Sequence, residues 1–257
     1  MLAYRKVLLL ILIMSLLAVG GGLATGLLQP WMVLVLFILD LAMLAAGSFL
    51  VCSGLYIKAH CSGSHEGKAI ALTFDDGPHI THTPQVLDIL KAHDVRATFF
   101  LKGKNIAGHE AIISRMAAEG HILGNHSFSH RNTFGFYSTS RVMDELERTE
   151  GLVEKVTGRK MKLFRPPFGV TNPNIARAAR LLDYTVTGWS IRSLDTVSRK
   201  EKAVGRVIKR LRPGGVVLLH DDRPGIGEIL ETVIRETGAL GYRIVPLDEL
   251  LGIKAYR

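Results

Sequence analysis

Two long apolar runs, residues 7–28 and 31–52, decide more about this chain than any other feature of it. A helix of 22 residues extends roughly 33 Å, against a hydrocarbon core of about 30 Å, so each run is long enough to span a bilayer. Only Gln29 and Pro30 separate them. Arg5 and Lys6 ahead of the first run are also how a secretory signal peptide begins, but the run exceeds a typical signal core and a second follows at once. No lipobox precedes Cys52 or Cys61. The expected organisation is therefore a two-helix transmembrane hairpin over residues 1–52, a linker over 53–67 and a globular domain over 68–257.

Asp40 is the one ionisable residue inside the two runs, where a carboxylate is costly unless neutral, paired or near water. No second charge lies at similar depth to complete a proton path, so a hydrogen bond between helices is its expected role. Glycines 20, 21, 22 and 26 permit close helix packing. Two basic residues precede the first run, Lys58 and Lys68 follow the second, and the turn has none; the positive-inside count thus puts both ends in the cytoplasm. The two cysteines leave the compartment open.

The apolar excess, a mean hydropathy of +0.22, is concentrated in this region. Residues 1–68 contain six charged side chains, whereas the following 189 residues hold 28 basic and 21 acidic ones and have ordinary globular composition. Disorder, collagen-like repeats and a disulfide-dense scaffold are excluded. The net charge of +9 suits a domain lying against anionic lipid or handling acidic glycans, or serves solubility alone. Zinc-finger spacing, an RNA-binding aromatic signature and a dense Lys/Arg block are all missing, so nucleic acid is not an expected partner.

From residue 68 onward, short β-rich runs alternate with segments of helical period. Strands are expected at 69–74, 97–101, 121–123, 162–165, 184–190, 216–219 and 242–245. Helices are expected from Thr83 as cap with Pro84 at the first position, and then at 106–119, 138–156, 174–182, 200–211 and 226–240. This alternation makes a parallel sheet. Asp75, Asp76, His126, His130, Arg165 and His220 all fall at or just beyond strand ends, which in a parallel barrel share one face.

In HSFSH, His126 and His130 stand four apart, which on a helical turn sets both imidazoles on one side as two metal ligands require. One carboxylate of the TFDDGP pair would complete a two-histidine, one-carboxylate set, and the other would stay free as a base. Each piece also has a plainer role. Asp-Gly-Pro is turn chemistry, paired aspartates cap helices, Arg165 precedes two prolines as a solvated charge would, and a strand-end histidine satisfies backbone groups.

TFDDGP at 73–78, HSFSH at 126–130, RPPFG at 165–169, WSIRSLDT at 189–196 and LLHD at 218–221 together resemble carbohydrate esterase family 4, the polysaccharide deacetylases of NodB homology. The likeness covers about 68–251. It implies an α/β fold, a distorted (β/α) barrel of the NodB-homology type preceded by the two-helix transmembrane hairpin. It implies Asp75 as catalytic base, with Asp76, His126 and His130 as ligands of a divalent metal, usually Zn2+, with Co2+, Ni2+ or Mn2+ able to serve. Arg165 would orient the base, His220 would be the general acid and Asp195 would hold it. Pro167, Phe168, Trp189, Arg192 and Leu218 would line the substrate groove.

The fourth motif departs from the family pattern, because Arg192 stands where an aspartate is usual and Thr196 where a tryptophan is. The chemistry should survive this, while an arginine in the groove favours a phosphate or carboxylate on the substrate. The implied reaction removes N-acetyl groups from amino sugars. O-deacetylation, deformylation and non-catalytic glycan binding are the other readings. The linker, at roughly 55 Å when fully extended, keeps the domain near the membrane. The expected partners are therefore an N-acetylated glycan or lipid-linked sugar, and membrane lipid. Family resemblance places the domain outside the cytoplasm, against the charge count.

Overall fold

The computed structural model describes residues 2–27, 29–63 and 67–257. Two helices, α1 (Leu2–Thr25) and α2 (Pro30–Phe49), form the amino-terminal part. Ser15 Oγ donates to Asp40 Oδ2 at 2.8 Å, so the carboxylate expected to bond between helices does so. Among the described residues α2 is the helix long and apolar enough to cross a membrane; the apolar part of α1, Leu9–Thr25, is shorter. Leu28, the end of the first expected span, lies outside the described residues. The second expected span is too long by three residues: α2 ends at Phe49, and Val51–Ser53 form a 3₁₀ turn. Val51 is buried there, and Cys52 is joined to Cys61 by a disulfide.

That disulfide corrects the extended linker. Residues 50–63 are folded onto the body, with Tyr56 buried, His60 in a parallel bridge to Thr187, and Ser62 in an antiparallel bridge to Gly215. Residues 64–66 of the expected linker lie outside the described residues.

The body alternates strands and helices: β1 (Ala69–Asp75), α3 (His82–Ala92), β2 (Thr98–Leu101), α4 (Glu110–Ala118), β3 (Ile122–Asn125), α5 (Thr139–Thr157), β4 (Leu163–Phe164) and α6 (Pro173–Leu181). There follow β5 (Thr185–Val186), β6 (Ile191–Arg192), α7 (Lys200–Lys209), β7 (Gly215–His220), α8 (Ile226–Ala239), β8 (Arg243–Ile244) and α9 (Leu247–Leu251). The strands form one curled parallel sheet in the order β5-β4-β3-β2-β1-β7-β6, with β8 beside the start of β1. This is a half-barrel: the bridges of His60 and Ser62 fall between β5 and β7, on the side where the sheet does not close.

Strand periodicity sorts the side chains. Ile70, Leu72 and Phe74 of β1 and Val217 and Leu219 of β7 face the outer helices, in the main core. The intervening positions face the concave side, where Ala69, Ala71, Phe100 and Val216 form a second, smaller cluster. By the same period Thr73, Asp75, Leu218 and His220 fall on the concave side.

Several boundaries differ from the sequence expectation. The helix expected at 106–119 begins at Glu110, because Gly108 adopts φ +82° and interrupts the chain. The strand expected at 184–190 is reduced to Thr185–Val186; it stops before Gly188, whose side is occupied by the disulfide and Val51, and the next short strand, Ile191–Arg192, begins beyond the expected end. Thr83 does not cap α3, which has Thr81 in that place; its hydroxyl accepts from the His79 amide and donates to Asp221 at 2.5 Å.

Candidate active site

Asp75 ends β1 and His220 ends β7, and the two are register partners across the parallel ladder. Asp76 follows at once with φ +81°, a left-handed conformation that redirects its carboxylate into the mouth of the sheet. HSFSH is a loop after β3, not the helical turn expected from its spacing. Ser127 and His130 both take positive φ, +66° and +48°, and the resulting tight turn brings the imidazoles to 4.7 Å between centroids. Asn125 Oδ1 accepts the Ser127 amide, and Glu145 Oε2, reaching from α5, accepts those of Phe128 and Ser129. These two supports were missed in the sequence because their partner is a loop backbone, which no side-chain pattern marks.

Asp76, His126 and His130 each offer a ligand atom, all within 4.8 Å of one another. His126 Nε2 lies 3.7 Å and His130 Nε2 3.5 Å from Asp76 Oδ1. His126 donates from Nδ1 to the Arg165 carbonyl at 2.7 Å, which leaves Nε2 as the free lone pair facing Asp76. Burial is the main force lowering the pKa of both histidines, with His130 brought to about 3, so both are neutral imidazoles. Burial pushes Asp76 up, but the charges facing it, with Lys102 and His220 on its side of the cavity, outweigh it and hold the carboxyl at about 2. Lys102, another residue missed in the sequence, sits 3.0 Å from Asp76 Oδ1 and 3.9 Å from Asp222.

Arg165 is not a solvated charge. It is fully buried on the concave side, stacked 4.1 Å over Phe100. Its Nη1 donates to Asp75 Oδ1 at 2.7 Å and to Thr73 Oγ1 at 2.8 Å, and its Nη2 donates to the Gly188 carbonyl at 2.7 Å. One planar fork thus ties the end of β1 to the β5–β6 connection and fixes one oxygen of Asp75.

Asp195 Oδ1 accepts from His220 Nδ1 at 2.8 Å, and Asp195 Oδ2 accepts the His220 backbone amide at 2.8 Å. Burial lowers the His220 pKa, but the Asp195 bond and charge, with Asp75 and Asp76 behind them, raise it further, and the net shift is upward. Asp221, immediately after, is fully buried and pushed up to about 7, chiefly by burial. Its carboxylate occupies the space beside Gly77, where any β-carbon would collide with it.

A cavity of about 320 Å³ opens over these groups, walled by Phe168, Trp189, Arg192, Leu218 and Arg223. Phe168 has φ +59° and its ring lies 4.6 Å from that of His130. Gly169 leaves room for Trp189, whose ring would meet a β-carbon there at 2.6 Å. Arg192 is exposed, 5.7 Å from the Trp189 ring, and Thr196 lies beside it on the same wall. Pro167 is buried beneath and does not line the cavity. Every other residue expected in the site from the sequence lines the cavity or holds one that does.

Residues 62–187 match the family model of the polysaccharide deacetylases. Over 200 residues the chain is 35% identical to peptidoglycan-N-acetylmuramic acid deacetylase PdaA of Bacillus subtilis (strain 168), covering 76% of each protein. The crystal structure of the Bc1960 peptidoglycan N-acetylglucosamine deacetylase superposes with a TM-score of 0.73 at 31% identity, over 77% of this chain and 95% of that one. BA3943 from Bacillus anthracis, a pseudoenzyme of the same family, superposes with a TM-score of 0.69 at 28% identity, over 74% of this chain and 67% of that one. The curled parallel sheet is therefore shared with proteins that agree with this chain in sequence over most of its length, and the chain belongs to carbohydrate esterase family 4, the polysaccharide deacetylases.

Proposed function

We propose that this chain is a membrane-anchored, metal-dependent hydrolase that removes N-acetyl groups from amino-sugar residues of a glycan or lipid-linked saccharide close to the bilayer. The observation that carries the reading is the convergence of Asp76, His126 and His130 in one cavity with Asp75 and His220. Two neutral imidazoles, one with its Nδ1 already engaged, and one ionised carboxylate are a donor set suited to a divalent cation of the zinc type. When bound there, such a cation supplies Lewis acidity, lowering the pKa of water and polarising the amide carbonyl.

The chain's own groups divide the remaining work. Asp75, fixed through one oxygen by Arg165, takes the proton from the attacking water. The water oxygen adds to the acetyl carbon while the carbonyl oxygen gains charge. In the turn after β4 the Gly169 and Val170 amides are taken by the Pro166 and Pro167 carbonyls, and the Phe168 amide is the donor assigned to that oxygen. His220, kept protonated and aimed by Asp195, gives its proton to the sugar nitrogen as the carbon–nitrogen bond breaks, and acetate and a free amine leave.

Two features support the location. The exposed apolar surface of α2 suits a lipid environment. The Cys52–Cys61 disulfide needs an oxidising compartment, which favours an extracytoplasmic domain over the orientation given by the Lys and Arg count. Retention of base, donors and acid on one cavity supports catalysis over the non-catalytic glycan binding that a pseudoenzyme relative brings to mind. Acetate release from N-acetylglucosamine oligomers, compared with acetylated xylan and with formylated amino sugars, tests the reaction. The reading requires the oligomers to be turned over; acetate from xylan alone, or formate alone, would replace it with O-deacetylation or deformylation.

A further inference from the structure

Four large apolar side chains stand in solvent on the face where the strands exit, each on a different loop. Ile80 follows β1, Phe136 follows β3, Phe168 follows β4 and Val197 follows β6, with exposures of 66%, 89%, 50% and 80%. A soluble rim has no use for four such tips around one opening. The loops that carry them, 76–81, 126–138, 165–172 and 187–199, contain only two carboxylates, Asp76 and Asp195, and both are buried in the site. Their exposed charges are basic: Arg131, Arg192 and Arg199.

The carboxyl end of α2 is fastened to this same face. The Thr171 amide donates to the Ser48 carbonyl at 2.9 Å and its hydroxyl to the Gly47 carbonyl at 3.3 Å. Thr171 is three residues beyond Phe168. Tyr56 donates to the Leu44 carbonyl at 3.1 Å, and Cys52, clamped by its disulfide, packs at the Trp189 carbonyl on the cavity wall. Gly47 is the one described residue of α2 that is buried, so the helix leaves the body directly from this face instead of lying along the barrel.

We propose that the four loop tips dip into the boundary between headgroups and acyl chains of the bilayer that α2 enters, with Arg131 and Arg199 beside them on the phosphates. The catalytic mouth then opens against the membrane, and the sugar it takes is borne by a lipid carrier embedded there. An apolar tip with a basic flank is how a protein surface seats itself in an anionic interface. The rigid attachment of α2 holds these tips at the depth where such a surface works. The assignment of a lipid-borne substrate rests on the deacetylase reading, whereas the seating of the rim does not.

The test uses the full chain in vesicles of phosphatidylethanolamine and phosphatidylglycerol. Single cysteines at Ile80, at Phe136 and, on the opposite face, at Leu240 are labelled with an environment-sensitive fluorophore. Nitroxides attached high on the acyl chains should quench the probes at 80 and 136 and leave the one at 240 untouched. Equal and negligible lipid quenching at all three positions overturns the proposal, as does a blue shift at 80 and 136 without lipid quenching, which is the outcome for contact with a second copy. The double variant Ile80→Asp, Phe136→Asp should then release acetate at least tenfold more slowly from N-acetylglucosamine joined by diphosphate to a polyprenyl chain, and within twofold of the parent rate from soluble oligomers. Unchanged rates on both substrates would overturn the lipid-borne assignment. If the parent protein released acetate from neither, the deacetylase reading would fall while the quenching still decided the seating.

Discussion

Asp75 and His220 lie side by side as Cα partners at the ends of β1 and β7, so the spacing between base and acid is set by the backbone ladder and not by loops. The two groups are then tuned separately, Asp75 by Arg165 and His220 by Asp195.

The first consequence is a pH profile. The pKa of His220 is raised, so the acid form that donates to the leaving amine persists above the ordinary histidine range, and kcat/KM falls only as pH rises through that elevated value. Asp195→Asn removes the charge that raises it and should move the alkaline limb to lower pH. A pH series of kcat/KM on both proteins checks this; a limb that stays in place would mean another group controls it.

Arg165 is the buried keystone of the concave side. Arg165→Met leaves Asp75 buried beside no guanidinium and should cost about 3–5 kcal/mol in a denaturant titration. Arg165→Lys should recover little, since one ammonium cannot reproduce the fork that reaches Asp75, Thr73 and the Gly188 carbonyl together. A loss under about 1 kcal/mol for the methionine variant contradicts this role.

The bond between Cys52 and Cys61 closes a short loop, with a sequence separation of 9. Replacing both by serine should lower stability by about 2–3 kcal/mol through the entropy returned to the unfolded chain. Differential scanning of parent and variant reads it, and identical midpoints would mean that the loop is held by its other contacts.

Arg192, where the family resemblance leads to an expected aspartate, stands exposed against Trp189 at the cavity wall. Arg192→Ala should reduce kcat/KM about tenfold for glycans bearing a carboxylate or phosphate near the scissile amide, and by less than about twofold for neutral oligomers. Equal losses on both would remove it from substrate recognition.

Much of this site was legible in the chain because its groups sit at strand ends, and an apolar strand followed by a polar cluster announces itself. TFDDGP and LLHD could be placed at strand ends sharing one face without coordinates, whereas the adjacency of β1 and β7 that makes Asp75 and His220 partners is a matter of sheet order, which no local pattern carries. His126 and His130 were rightly paired for the wrong reason: their four-residue spacing reads as a helical turn, but positive φ at Ser127 and His130 brings them together. Residues whose partners are distant in the chain left no trace. Glu145 holds the HSFSH loop from α5, Lys102 reaches Asp76 from the end of β2, and Thr83 spends its hydroxyl on Asp221 instead of capping a helix. The linker looked free because 15 polar-flanked residues between an anchor and a domain usually are; its pairing with Thr187 and Gly215 depends on a gap in a sheet that no local pattern reveals.

The most direct measurement is metal content against turnover in three proteins after chelation and titration with Zn2+. The parent should bind one ion per chain and regain acetate release in step with it. Asp75→Asn should bind the ion with turnover reduced at least about a hundredfold, and His126→Ala should lose both. Full turnover by the stripped parent, or by His126→Ala without bound metal, would contradict the account at its centre.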